Sequence, residues 1–151
     1  MADYYNKPKS FEKLINSAFR TLASIGLSPR DSVELRVRGR KSGKIRSNVV
    51  TYVEHDSTRY LVAPRGTTEW VRNVRAAAGE ASLKHGRTQA IRLVEVSAAE
   101  RAPIIRSYLK KMPGMVRREF GVEADSPDAE IEGIAPRHPV FRILDASSQL
   151  S

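Results

Sequence analysis

The stretch VELRVRGRKSGKIRSNVVTYVEHD, residues 33–56, decides the fold class because it contains two strands joined by a glycine-bearing turn. Val33, Leu35 and Val37 alternate with polar residues, which is the period of a half-buried strand. The segment after Lys44 is rich in β-branched residues and predicts a returning strand. The polar turn HDST then leads into RYLVA. We therefore predict an antiparallel meander of three strands.

On either side of this meander, the apolar patterns predict helices and three more strands. They are a helix over Phe11–Leu22 that is capped by Ser10 and ends near Gly26, a short helix with Thr67 or Thr68 as cap and Gly79 as stop, a hairpin turning near Gly86, a helix after the capping box SAAE at 97–100 with Pro103 in its first turn, a brief helix from Ser126 and Pro127, and a final strand PVFRIL. Six mostly antiparallel strands with peripheral helices predict an α+β fold, a closed or nearly closed barrel.

Length and composition predict a single domain. The chain has 151 residues, of which 40% are hydrophobic and 28% charged, and this composition is typical of a globular protein. We expect the domain to span residues 10–146, with an N-terminal segment at 1–9 where disorder is expected and a flexible tail at 147–151. No internal repeat or interdomain linker is present.

Several classes of site are disfavoured by what the sequence lacks. It has no cysteine, and its three histidines have no spacing that suits a metal, so we predict no metal site. No apolar run approaches the length of a membrane span, and no signal peptide is evident, so a cytoplasmic location is expected. A net charge of +9 favours anionic partners.

The basic turn RGRKSGKIRSN, residues 38–48, admits several ligands. It departs from the P-loop pattern, because its glycines are too close together and Ile45 stands where a magnesium-binding hydroxyl is required. Nucleic acid is disfavoured because few aromatic residues accompany the cations. A solvated surface with no ligand stays open, as does contact of the Phe11–Leu22 helix with a membrane surface.

The order of three motifs resembles a known family. GRKSGKIRSN, then APRG, then Trp70 followed three residues later by Asn73, resembles the deazaflavin (coenzyme F420)-dependent nitroreductase family of actinobacterial flavin/deazaflavin oxidoreductases. The resemblance covers about Val33 to Val96. It implies a split β-barrel that binds coenzyme F420, a deazaflavin that carries a phosphate and a polyglutamate tail. The cationic turn would then hold the anionic part of that coenzyme.

The resemblance also implies which residues bind the coenzyme. Arg40, Lys41 and Ser42 of the turn would contact the phosphate and the start of the tail, and Arg46 and Asn48 would reach the same ligand from the returning strand. Val49, Val50 and Thr51 would line the ring; Ala63, Pro64, Arg65 and Gly66 would form a second anion-binding turn; and Trp70 and Asn73 would close the pocket. Val49 and Thr51 stand where the family usually has Pro and Tyr, and the loop before Trp70 is shorter than in the nitroreductases.

The implied reaction is hydride transfer from reduced F420 to a small electron-poor substrate such as a quinone, nitroaromatic or enone. No residue matches a catalytic motif, and Tyr52 and Tyr108 are the phenols available to donate a proton. The alternative is a non-catalytic split-barrel protein that binds a fatty acid or another hydrophobic ligand. A homodimer stays open, because nothing in the sequence marks an interface.

Overall fold

A computed structural model describes residues 8–24 and 31–146. In chain order the elements are α1 (Pro8–Ser24), β1 (Ser32–Arg38), β2 (Ile45–His55), β3 (Thr58–Val62), α2 (Glu69–Ala76), β4 (Glu80–His85), β5 (Arg87–Glu95), α3 (Ala102–Lys111), α4 (Gly114–Arg117), α5 (Asp128–Ile134) and β6 (Val140–Asp145). The strands close into a barrel in the order β1-β2-β3-β6-β5-β4. The predicted α+β barrel of six strands is confirmed.

The register of the strands gives the barrel two distinct ends. Every pairing is antiparallel, and β1 pairs with β2 from Ser32↔Thr51 to Arg38↔Ile45. The β1–β2 turn and the start of α2 therefore lie at one end, which we call the turn end. The β2–β3 and β4–β5 turns lie at the other end, which we call the mouth.

The barrel wall separates two apolar cores, because alternate residues of a strand face opposite sides. The interior contains Leu35, Leu61, Phe141 and, from α2, Val71 and Val74, each at most 1% exposed. The second core lies outside the wall, where α3 and α5 pack against the outer sides of the strands. Its fully covered members include Ile105, Leu109, Met112 and Ile131.

The N-terminal predictions are corrected in part. The first helix begins at Pro8, so Ser10 lies inside it and does not cap it. A proline suits this position because its fixed φ is already helical and its missing N–H has no partner in a first turn. The helix ends at Ser24, while Gly26, residues 1–7 and residues 147–151 lie outside the described residues. Leu14 is 63% exposed, so the predicted apolar face is only partly covered.

The remaining helix ends also differ from expectation. Ser97 and Glu100 do not form a capping box; their side chains bond to each other at 3.0 Å, beside a short 3-10 turn. The helix α3 begins only at Ala102, with Pro103 in its first turn as predicted. The short helix α4 was not predicted. In the described ranges, no helix is long and apolar enough to cross a membrane.

Candidate functional site: a cationic turn fastened to helix α2

The β1–β2 turn is held in shape by its own hydrogen bonds. The amide of Gly39 donates to the Lys44 carbonyl at 2.7 Å, and the amide of Gly43 donates to the Gly39 carbonyl at 2.9 Å. Ser42 Oγ accepts the Lys44 amide at 3.1 Å, so the serine stabilises the turn. Gly43 has a φ of +74°, a conformation that favours glycine. The turn is therefore a preorganised structure.

Helix α2 fixes this turn from the side. The buried Asn73 Oδ1 accepts the backbone amide of Arg40 at 3.1 Å and its guanidinium Nη1 at 2.8 Å. Glu69, one helical turn earlier, forms a salt bridge to Arg40 at 3.0 Å. The predicted ligand residues Arg40 and Asn73 are thus brought together, but they bind each other. The contact of Glu69 with the turn was not predicted from the sequence, although the i, i+4 spacing of Glu69 and Asn73 places both on one face of α2.

The exposed cations of this turn include Lys41, Lys44 and Arg46, and none of these three has a salt bridge within residues 8–24 and 31–146. Arg46 makes only a long contact of 3.5 Å to Ser42 Oγ. The nearby Glu69 has a lowered pKa, chiefly because it accepts a hydrogen bond from Arg40, so this carboxylate is charged at neutral pH. The turn therefore presents a net positive surface.

The returning strand divides the predicted ring-binding residues between its two faces. Val50 packs into the barrel interior, and its partner across β1 is Val33. By alternation, Arg46 and Asn48 share the face of Val50. Thr51 lies on the other face, where it is buried and hydrogen-bonded to Ser32 at 3.2 Å.

Val49 shares that outer face and lies opposite Glu34 on β1. The side chains of Val49 and Thr51 therefore lie on the face of β2 opposite to Arg46, Asn48 and Val50. Their contact with the coenzyme stays a prediction. A strand cannot present consecutive residues to the same ligand face, because its side-chain period is two.

The second predicted anion-binding turn, Ala63–Gly66, also lies at the turn end. Its chain path is fixed by His138, whose Nδ1 lies 3.0 Å from the Ala63 carbonyl. Gly66 has a φ of +81°, and a Cβ there would lie 3.0 Å from the Arg137 carbonyl. Pro64 is half-buried, while Arg65 is exposed and has no salt bridge to any described carboxylate. Arg65 thus adds another cation without a salt bridge to this end.

Three other residues considered in the sequence are at least partly covered by the fold: Thr68 and Trp70 are half-buried, and Tyr108 is buried. Trp70 is half-buried, and its ring centroid lies 5.8 Å from that of Phe141 in the barrel interior. Thr68 precedes α2, but its hydroxyl makes no capping bond and is buried without a hydrogen-bond partner in the described part of the chain. Tyr108 is 4% exposed in the outer core, and burial raises its pKa well above the ordinary value. Tyr108 is therefore not placed to donate a proton to a substrate.

Solved structures of similar fold support the barrel architecture. A domain-swapped dimer shares 19% identity with a TM-score of 0.52, covering 94% of this chain and 98% of that one. Protein Atu2129 of Agrobacterium tumefaciens str. C58, described as of unknown function, shares 17% identity with a TM-score of 0.52; the match covers 85% of this chain but only 54% of that protein. No curated protein matches the chain.

A third solved structure carries a functional description. It is an F420-H2 dependent reductase, FDR-A, with 25% identity and a TM-score of 0.45, covering 78% of this chain and 96% of that one.

The family assignment rests on the sequence. Residues 18–127, which include the cationic turn, the second turn and α2, match the profile described as F420H(2)-dependent quinone reductase. The resemblance to F420-dependent reductases is confirmed. The chain belongs to the F420H(2)-dependent quinone reductase family and is an F420-dependent oxidoreductase.

Proposed function

We propose that this protein reduces a quinone with reduced coenzyme F420, and that the cationic turn holds the anionic part of the coenzyme. The observation that carries the proposal is the set of unpaired cations Lys41, Lys44 and Arg46 on a turn fastened by Asn73. Phosphate and glutamate carboxylates are ligands that such cations and exposed backbone amides bind well. We propose a quinone as the substrate because the family that the chain matches is described as F420H(2)-dependent quinone reductase.

The residues present fit the anionic part of this coenzyme. Lys41, Lys44 and Arg46 would bind the phosphate and the tail, and Arg65 would extend the same positive surface. Arg40, which is already bonded to Asn73 and Glu69, would keep the turn in its binding shape. When bound, reduced F420 supplies the hydride.

Other residues of this chain would position the ring and restrict water. Asn48 would offer its amide beside the turn, while Val50 and Trp70 provide apolar surface next to the barrel interior. Catalysis by such a site comes mainly from orientation, because the protein need not supply a nucleophile or a metal. A cytoplasmic location remains part of the proposal, supported by the absence of cysteine.

Titration with F420, followed by quinone reduction, tests the proposal. Wild-type protein should bind F420 saturably and reduce menadione with reduced F420. Lys41→Gln and Arg46→Gln should each weaken F420 binding by about tenfold, since each removes a charge-assisted bond. Because that bond exists before and during hydride transfer, KM should rise while kcat changes little. Arg118→Gln, which removes an exposed arginine far along the chain, is the matched control.

Two outcomes would overturn the proposal. One is the absence of saturable F420 binding, with fatty acid recovered from the purified protein, which would indicate the non-catalytic carrier. The other is F420 binding that Lys41→Gln and Arg46→Gln leave at the level of Arg118→Gln, which would place the coenzyme elsewhere. Binding with no quinone turnover would retain the site and reject the substrate.

A further inference from the structure

The mouth of the barrel, opposite the cationic turn, contains a cleft. Its volume is about 450 Å³. Its lining includes the buried Val33 and Leu83, the half-buried Tyr52 and Arg59, and the exposed Arg87 and Gln89. Val33 lies five residues before Arg38 on β1. At about 3.3 Å per residue, the strand separates this cleft from the turn by roughly 16 Å. The cleft is therefore a separate feature.

The polar side chains of this cleft occupy inward-facing strand positions. Arg59 lies two residues before the interior Leu61 on β3, and Arg87 and Gln89 precede the interior Ile91 on β5 by four and two residues. Even spacing along a strand places Arg59, Arg87 and Gln89 on the side of the strand that faces the interior further along. Arg87 and Gln89 are exposed and lie where β5 pairs with β4 alone, because its pairing with β6 begins at Ile91↔Asp145. They therefore line the rim of the cleft at the mouth.

The charges in the cleft are not balanced. Neither Arg59 nor Arg87 has a salt bridge with a described residue. Arg59 instead lies over the Tyr52 ring, 5.3 Å from its centroid. Asp145 is an acid at this end, and its Oδ1 accepts a hydrogen bond from Gln89 at 3.0 Å. The lining itself contains two arginines and no carboxylate, which favours a positive local potential and an anionic ligand.

The other charges around Tyr52 do not cancel this potential. Lys111 lies 5.1 Å from the Tyr52 ring centroid, and its charge is paired with Asp31 at 2.8 Å. His85 also lines the cleft. Glu54 is exposed and is the cross-strand neighbour of Arg59 without a salt bridge to it in the described structure. Glu54 and Asp145 thus lie beside the cleft and reduce its charge, but neither lines it or forms a salt bridge with Arg59 or Arg87.

We propose that this cleft binds a small aromatic molecule carrying one carboxylate or phosphate. The aromatic body lies against Val33, Leu83 and the Tyr52 side, and the anionic group lies between Arg59 and Arg87. The volume falls within the range of roughly 300–1,000 Å³ that small-molecule sites occupy. This site does not depend on the proposed quinone reduction, because it uses none of the residues of the cationic turn.

Calorimetric titration with 2-naphthoate, 2-naphthol and phenyl phosphate tests the proposal on the full chain. Wild-type protein should bind 2-naphthoate at least about tenfold more tightly than 2-naphthol, which has the same body without the charge. Comparing 2-naphthoate with phenyl phosphate tells which anionic group is preferred. Arg59→Gln and Arg87→Gln should each weaken binding of the acid by about tenfold, and leave that of 2-naphthol nearly unchanged. Arg118→Gln should match wild type.

Two further measurements keep the result interpretable if a variant loses stability. Arg59→Lys and Arg87→Lys preserve the charge and should retain more affinity than the Gln variants at equal thermal stability. Saturating polyglutamate, which targets the cationic turn, should not displace 2-naphthoate. Equal binding of 2-naphthoate and 2-naphthol, or displacement by polyglutamate, would overturn the proposal. So would failure of wild type to bind either anion, which would mean that the arginines only protect the barrel mouth from edge contacts.

Discussion

The side-chain oxygen of Asn73 accepts two hydrogen bonds from Arg40, one from its backbone amide at 3.1 Å and one from its guanidinium at 2.8 Å. The two residues are 33 positions apart in sequence. Asn73 is 6% exposed, so water cannot easily replace either bond. The asparagine of the Trp-x-x-Asn motif thus fixes the conformation of the GRKSG turn. Its role in the proposed site is to position other residues.

Replacing Asn73 with alanine should loosen the cationic turn. Two donors of Arg40 lose their acceptor, so we expect the free energy of unfolding to fall by about 1–3 kcal/mol. F420 should bind about three- to tenfold more weakly, because the turn must be ordered on binding. Denaturation and fluorescence titration measure the two effects, and Asn16→Ala on the exposed side of α1 is the control. Unchanged F420 affinity in a destabilised protein would restrict Asn73 to folding.

Glu69→Gln should strengthen the attraction of the turn for polyanions. Glu69 neutralises Arg40 and also forms a salt bridge to Arg72 at 3.2 Å. Removing this exposed carboxylate should raise polyglutamate affinity by roughly two- to fivefold at low salt, since surface pairs have small energies. Glu132→Gln, at an exposed position on α5, serves as the control.

The Glu69→Gln effect has a defined pH dependence. Arg40 and the other nearby cations lower the pKa of Glu69 below 4.5, so this carboxylate is charged throughout the neutral range. The affinity difference between variant and wild type should therefore be constant near neutrality. It should disappear only as pH falls through that lowered pKa, where wild-type Glu69 becomes protonated. A difference that vanishes near pH 7 would contradict this account.

Local sequence patterns predicted the strands well because each strand carries its own period. In β1, Val33, Leu35 and Val37 are each about 2% exposed or less, as their alternation indicates. The turns at Gly43 and Gly86 also follow from local chemistry, since both glycines have positive φ values. The conformation of the GRKSG turn was predictable for the same reason, because its glycines and charged residues are contiguous in sequence.

The features that could not be predicted from the sequence depend on contacts between residues far apart in the chain. Arg101 is 7% exposed, and its guanidinium bonds to the carbonyls of Val96 and Ala135 and to Glu95. Its sequence neighbours give no sign of this burial. The role of Asn73 was hidden in the same way, because its partner lies on another element. Glu95 has a lowered pKa, chiefly through its hydrogen bonds from Arg75, and such pairing across elements has no periodic signature.

His138 should make the protein less stable at acidic pH. It is 5% exposed, stacks on Phe120 at 4.3 Å and bonds to the Ala63 carbonyl through Nδ1. Burial is the main cause that lowers its pKa below 6.5 in the folded state, so the unfolded chain binds this proton more readily. The stability is therefore fully present above pH 6.5 and is lost as pH falls through the lower folded-state pKa.

Urea denaturation between about pH 5 and 8 measures this dependence. His138→Gln should reduce the slope of unfolding free energy against pH by up to about 1.4 kcal/mol per pH unit. Asn16→Ala, at an exposed position of α1, removes no titratable group and should leave the slope as in wild type. Identical slopes for wild type and His138→Gln would show that other groups cause the acid sensitivity.

Gly79 should be among the least replaceable residues of the barrel. It has a φ of +85°, and a Cβ there would lie 2.2 Å from the Leu93 carbonyl oxygen, while Leu93 donates its amide to the Gly79 carbonyl at 2.8 Å. Gly79→Ala should therefore lower the unfolding free energy by about 3 kcal/mol or more, because strain and backbone displacement add.

Gly43 has a similar φ of +74°, but a Cβ there would have no atom within 4 Å, so Gly43→Ala should lower the unfolding free energy by only about 1 kcal/mol. Gly133→Ala, in α5 with open space around it, should gain about 0.5–1 kcal/mol. Thermal and urea unfolding of the three variants separate the strain of a positive φ from the close contact with Leu93. Equal losses of stability at Gly79 and Gly43 would mean that the φ alone constrains the end of α2.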